Sequence, residues 1–293
     1  MISFARSVVL IAMFFLACPI WSRAEETSGE RRAREEVWAL STPWPVLAWV
    51  VRPLSLQPHG LVIMNHGIAI APDQRAFFPP IEYRDAAFWF AKQGYVVVSP
   101  VRYGSTQSTE ESNGLFGLFA ADVGKCDNPD FRGPGLQIAR LDRWVIDYLL
   151  QENVIGPKDK IVIVGQSGGA WGSIALSSLN LPSIRAIVTF AAGRGGRVDG
   201  KPNNNCAPDK LVEAVGQFGK TSRVPMLWIY SENDTYFGPD LAKRLHTAFT
   251  AAGGKAELHI LPAHGSDGHF LIDAADAIPM WSPLVSRFLN ENP

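Results

Sequence analysis

The sequence predicts an α/β fold in which a mostly parallel central sheet carries helices on both faces. Three observations predict it. Short β-rich runs alternate with longer helical stretches from residue 46 to the C-terminal region, the pattern of a sheet wound with crossover helices. The strand runs are continuously apolar rather than alternating, as strands covered on both faces are. Neither an internal repeat nor a linker-like stretch divides the chain. One domain over 41–293 is therefore expected, preceded by a signal peptide at 1–24 and a flexible, highly charged segment at 25–40.

Residues 46–51 (VLAWVV) and 61–65 (LVIMN) read as strands, the second ending at His66-Gly67. Residues 83–93 (YRDAAFWFAKQ) place apolar side chains at helical spacing, and Gly94 closes that helix. Residues 95–99 (YVVVS) form the next strand. Residues 103–135 are rich in Gly, Ser and Asn and read as an irregular excursion before an amphipathic helix at 136–150. The strand 160–164 (KIVIV) runs into Gly165-Gln166-Ser167-Gly168-Gly169 and a helix reaching Ser178. A strand at 186–190 (AIVTF) precedes a second excursion, 193–208, with Asn203-Asn204-Asn205 before Cys206. Strands at 226–231 (MLWIYS) and 255–261 flank a helix at 239–252, and a last helix covers about 281–289.

Lys+Arg 27 against Asp+Glu 28 gives a formal charge of −1, with 47% hydrophobic residues. That balance excludes a disordered chain and supplies no surplus charge for nucleic acid. At the N-terminus Arg6 precedes an apolar run over 8–21, and Ser22-Arg23-Ala24 offers small residues at the −3 and −1 positions of a cleavage site. This is the layout of a secretory signal peptide. The alternatives are an uncleaved anchor, for which the run is short against the roughly 18–20 residues a spanning helix needs, and lipid attachment at Cys18. Cleavage after Ala24 predicts an exported protein, periplasmic or secreted, with no stable membrane span. It removes Cys18 and leaves Cys126 and Cys206. An even pair in an exported chain suggests a disulfide; two free thiols are the alternative. No CxxC pair or neighbouring His supports zinc.

Gly165-Gln166-Ser167-Gly168-Gly169 matches G-x-S-x-G between a strand and a helix, the setting of a nucleophile elbow. A helix N-cap serine is the plainer alternative. Ser167 as nucleophile needs a base and an orienting group. Asp234, just after the strand 226–231, supplies the carboxylate at the carboxyl end of a strand; Glu232 is its local competitor, and an Asx turn its structural alternative. His269 in Asp267-Gly268-His269-Phe270 is the expected base, with His264 the second choice. The chain order Ser, Asp, His fits. The backbone N–H groups of Gly168 and Ile68 are the expected oxyanion donors. His66, Trp171, Tyr236, Phe237 and Tyr103 are candidates to line the substrate pocket, each equally readable as packing. The His-x4-His spacing lacks a third ligand, so neither metal nor cofactor is expected.

These residues resemble the α/β-hydrolase superfamily, and most closely its dienelactone-hydrolase-like branch. The resemblance runs from Leu61 to the C-terminus and rests on Asn65-His66-Gly67, Gly165-Gln166-Ser167-Gly168-Gly169, Asn233-Asp234 and Asp267-Gly268-His269. It implies an α/β-hydrolase fold with Ser167 as nucleophile, Asp234 as acid and His269 as base. Dienelactone hydrolases carry a cysteine nucleophile where this chain has Ser167, which turns the expectation to a general serine esterase acting on a small-molecule carboxylic ester. A peptidase of the prolyl-oligopeptidase type and a non-catalytic binding protein on the same fold are the competing readings.

Overall fold

A computed structural model describes residues 33–54, 58, 60–68, 83–102, 126–156 and 160–293. The expected signal peptide, Tyr103 and most of the first excursion lie outside these residues. The strands are β1 (Ala33–Leu40), β2 (Val46–Pro53), β3 (Gly60–Asn65), β4 (Tyr95–Pro100), β5 (Lys160–Gln166), β6 (Ile184–Phe190), β7 (Met226–Ser231) and β8 (Ala256–Leu261). They form a single sheet in the order β1-β2-β4-β3-β5-β6-β7-β8. The β1–β2 and β2–β4 pairings are antiparallel, and the rest are parallel.

Helices α1 (Arg84–Lys92), α2 (Arg132–Gln151), α3 (Ser167–Ser177), α4 (Pro208–Gly219), α5 (Pro239–Ala251) and α6 (Ile278–Glu291) cover the sheet. Alternate residues of a strand point to opposite faces, and the core divides accordingly. Leu61 and Ile63 of β3 join a cluster with α2, α3, α4 and α5. Val62 and Met64 join the opposite cluster, with α1 and α6. Apolar residues at every position of a central strand are thus explained by burial on both sides.

Over 33–40 the structure corrects the reading of 25–40 as a flexible segment; 25–32 lie outside the described residues. Ala33–Leu40 is strand β1, in register with β2 from Ala33 opposite Pro53 to Leu40 opposite Val46. Charge was the misleading signal. The acidic side chains are tied down: Glu35 accepts from Trp49 Nε1 at 3.2 Å and pairs with Arg84 at 2.6 Å, and Glu36 accepts from Trp38 Nε1 at 2.6 Å. One helix begins earlier than expected and another was not expected. α2 starts at Arg132, inside the presumed excursion, where Asp130 accepts from the Arg132 and Gly133 N–H groups. α4 opens on Pro208, a residue suited to a first helical turn because it has no N–H to satisfy.

Candidate active site

The parallel strands β3, β5, β6, β7 and β8 bring their carboxyl ends to one edge of the sheet. Asn65 of β3 lies opposite Gly165 of β5, and Ser231 of β7 opposite Leu261 of β8. The loops that leave these ends carry the residues singled out from sequence.

At the end of β5, Gln166 is extended (φ −124°, ψ 139°) and Ser167 turns to a left-handed φ of 52°. A left-handed L-residue costs about 1–2 kcal/mol, and only tight packing holds it. That packing needs glycine. A Cβ on Gly165 would lie 2.7 Å from the Ala170 backbone, and one on Gly169 would lie 2.3 Å from the carbonyl oxygens of Asn65 and His66. The first turn of α3 therefore presses directly on the end of β3. Gly168 belongs to that first turn, whose N–H groups no intrahelical carbonyl reaches. A Cβ there would meet Ile68 Cδ1 at 2.5 Å and Arg194 Nη1 at 3.5 Å, so an aliphatic side chain and a buried guanidinium flank this position.

Asp234 and His269 come together from the β7 and β8 loops. His269 Nδ1 lies 3.1 and 3.2 Å from the two carboxylate oxygens of Asp234. A carboxylate only accepts, so this contact puts the imidazole proton on Nδ1 and leaves Nε2 with a lone pair. Asp234 Oδ1 also accepts from the Tyr236 and Phe237 N–H groups at 2.7 and 2.9 Å. The Asx turn and the His partner are therefore roles of the same side chain. His269 is held from three further sides. Its N–H donates to Asp267 Oδ1 at 3.0 Å, its carbonyl accepts from Gln166 Nε2 at 3.0 Å, and the Tyr236 ring stacks on it at 4.0 Å between centroids. The Gln166 bond ties the residue beside Ser167 to the loop of His269. Among the described residues no hydrogen bond joins the Ser167 hydroxyl to the imidazole, a contact that is often loose without substrate.

The loop after β3 is built from buried polar groups. Gly67 N–H donates to the Tyr83 hydroxyl at 2.7 Å. His66 Nδ1 donates to the Gly67 carbonyl at 2.7 Å, and its Nε2 accepts from the Arg102 N–H at 3.3 Å. Burial, reinforced by the Arg102 charge, holds the His66 pKa well below the usual imidazole value, so His66 is neutral. Arg102 Nη2 donates to the His66 carbonyl and, at 2.9 Å, to the Gly67 carbonyl. Deeper still, Asn65 Nδ2 donates to Asp142 Oδ2 at 2.7 Å and to Ser173 Oγ at 3.1 Å. Burial pushes the Asp142 carboxyl up to about 7 against the opposing Asn65 hydrogen bond and Arg102 charge.

The expected pocket residues sort differently. Tyr236 and Phe237 lie beside His269, Phe237 with its ring against Gly193 and Gly196. His66 and Trp171 are buried, at 1% and 0% exposed, as is Phe237 at 2%. His66 spends both ring nitrogens on backbone, and Trp171 packs between Phe131 and Phe218 with Nε1 donating to the Phe131 carbonyl. His264, the second choice for base, faces Asp276 at 3.3 Å, and Glu232 is exposed. Cys126 and Cys206 are joined by a disulfide with Cα atoms 5.0 Å apart. Sequence reasoning missed Gln166, Tyr83, Arg102, Asp142 and Asp267. Gln166 and Asp267 occupy unspecified positions of otherwise recognisable motifs, and Tyr83 before α1, Arg102 after β4 and Asp142 within α2 belong to no motif. Among the described residues no group of three His, Cys, Asp or Glu could hold a metal ion, and no helix is long and apolar enough to cross a membrane.

The fold is shared with solved structures of hydrolases. A provisionally named dienelactone hydrolase of Klebsiella pneumoniae matches at TM-score 0.59 and 17% identity, over 88% of this chain and 98% of its own. A cold-adapted esterase from an Arctic intertidal metagenomic library matches at TM-score 0.57 and 14% identity, over 90% and 95%. The acylaminoacyl peptidase of Pyrococcus horikoshii matches at TM-score 0.63 and 14% identity, over 89% of this chain but only 42% of its own. No curated protein matches the chain in sequence. Residues 67–275 match the dienelactone hydrolase family over a span that includes Ser167, Asp234 and His269, and the chain belongs to that family.

Proposed function

We propose that the protein is an exported serine hydrolase that cleaves small-molecule carboxylic esters. The observation that carries the reading is the pairing of His269 Nδ1 with buried Asp234, on the loop that Gln166 ties to the strained Ser167. In this reading His269 Nε2 takes the Ser167 proton as Oγ attacks the ester carbonyl. The Gly168 and Ile68 N–H groups receive the developing oxyanion. The tetrahedral intermediate expels the alcohol, which leaves with the proton from His269. Water then repeats the sequence on the acyl-enzyme, releasing the acid and free Ser167. Asp234 fixes the tautomer and balances the imidazolium charge. Export rests on the N-terminal layout and on the Cys126–Cys206 pair, which suits an oxidising compartment.

Hydrolysis of a short-chain 4-nitrophenyl ester by wild type and Ser167→Ala tests the assignment. Loss of turnover with loss of fluorophosphonate labelling is expected, and undiminished turnover in the variant refutes it. A wild-type protein that leaves the probe unreacted is a binding protein instead. The likeness to an acylaminoacyl peptidase keeps a second substrate class in view; cleavage of acylated peptides in preference to esters would select it.

A further inference from the structure

We infer that Arg102, working with His66, is the positioning residue that aims the Ile68 N–H into the oxyanion site. The inference rests on the serine-hydrolase reading above. Its starting point is the planarity of the peptide bond. In a trans peptide the C=O of one residue and the N–H of the next point in opposite directions, and the described chain has no cis peptide. The Gly67 carbonyl is held from one side by two donors, Arg102 Nη2 at 2.9 Å and His66 Nδ1 at 2.7 Å. Pinning that oxygen fixes the direction of the Ile68 N–H on the other side of the same peptide plane. Among the described residues no acceptor takes the Ile68 N–H, and the Ile68 side chain reaches to Gly168, the residue of the other expected donor.

The neighbouring peptide explains why the donor is Ile68 and not Gly67. Arg102 Nη2 also holds the His66 carbonyl, and the Gly67 N–H at the opposite end of that plane is consumed by the Tyr83 hydroxyl. Arg102 thus sets two consecutive peptide planes at once. It does so from the end of β4, 1% exposed, with its pKa lowered only to about 10 by burial and therefore still charged at neutral pH. Its own N–H holds His66 Nε2, which leaves His66 Nδ1 as the donor to Gly67. One residue therefore positions both clamps on the Gly67 carbonyl.

Arg102→Gln and Arg102→Lys, compared with wild type on a 4-nitrophenyl ester, test this. Losing an aimed oxyanion donor costs about 10²–10³ in kcat. Arg102→Gln is expected to lose about 10²-fold in kcat with KM changed by less than about threefold, since the interaction is made only in the transition state. Arg102→Lys, keeping one donor, should lose less. Inhibition by phenylboronic acid, which forms a tetrahedral adduct on Ser167, should weaken by a similar factor in Arg102→Gln. A folded Arg102→Gln protein with wild-type kcat, or with a loss confined to KM, overturns the inference. If neither variant folds, the wild-type backbone amide spectrum decides: the Ile68 N–H resonance moves downfield on forming the boronate adduct, and an unmoved resonance overturns the proposal. Fluorophosphonate labelling of wild type separates the two levels. No labelling brings down the hydrolase reading, whereas labelling with an unaffected Arg102→Gln kcat brings down only the role of Arg102.

Discussion

A methyl group at residue 169 has no room. A Cβ there would lie 2.3 Å from two backbone oxygens, those of Asn65 and His66, and 2.7 Å from the Asn65 carbonyl carbon, whereas ordinary contact begins at 3.4 Å. None of these atoms is the movable tip of a side chain. In Gly169→Ala the first turn of α3 and the end of β3 must therefore separate by about 1 Å, in a core packed densely enough to resist it. Overpacking of this kind costs about 1–3 kcal/mol, or about 2–12 °C in Tm for a domain of this size. The separation opens between the Gly168 and Ile68 N–H groups, and a 1 Å misplacement of a reacting constellation costs about 10²-fold in rate. Steady-state kinetics on a 4-nitrophenyl ester and thermal unfolding read both effects. Gly216→Ala in α4 is the control: its Cβ would make only ordinary contacts, at 3.6 and 3.9 Å. It should gain about 0.5–1 kcal/mol from helix propensity. A Gly169→Ala protein with wild-type kcat and Tm refutes the close-approach argument.

Asp234→Asn keeps an oxygen for the Tyr236 and Phe237 N–H groups but presents an amide to His269 Nδ1 and reverses the tautomer. It should fold normally and lose about 10³–10⁴-fold in kcat; a loss under tenfold refutes the role of the pair. Asp142, pushed up to about 7 from an ordinary 3.8, holds its proton in the folded chain where the unfolded chain has released it. Its contribution makes stability fall as pH rises from about 4 to about 7. Asp142→Asn should flatten that part of the profile in urea unfolding at pH 5 and pH 8, and an unchanged slope refutes it. The Cys126–Cys206 bond closes a loop of sequence separation 80, and cutting it should cost about 4 kcal/mol in the chain-entropy model. Intact-mass analysis without reductant that finds two free thiols refutes the bond, and an equal Tm with and without reductant refutes its energetic role.

The central sheet was legible because burial on both faces demands uninterrupted apolar strands, and runs such as 160–164 and 226–231 carry little else. Strand β1 was not. Its first half, Arg34-Glu35-Glu36, is charged, and the partners of Glu35, Trp49 and Arg84, lie on other elements. Charge alone reads as solvated chain until the partner is in place. Helix α4 was hidden for a related reason: it follows a polar excursion anchored by contacts far along the chain, such as Asn203 to Thr235 and Asn205 to Tyr236.

The residues of the candidate site divide along the same line. Sequence by itself determined the chemistry available: a serine between glycines after a strand, a carboxylate after a later strand, and a histidine after the last. Local steric and torsional rules confine such residues to strand ends and turns. Tertiary structure decided everything that depends on distance. It brought His269 to Asp234 rather than to Glu232, and sent His264 to Asp276. It buried His66 and Trp171. It also supplied the frame of Arg102, Tyr83, Gln166 and Asp142, whose hydrogen bonds join residues from 16 to 103 positions apart. No local pattern marks such residues, because their role is set by the partner that folding delivers and not by their neighbours in the chain.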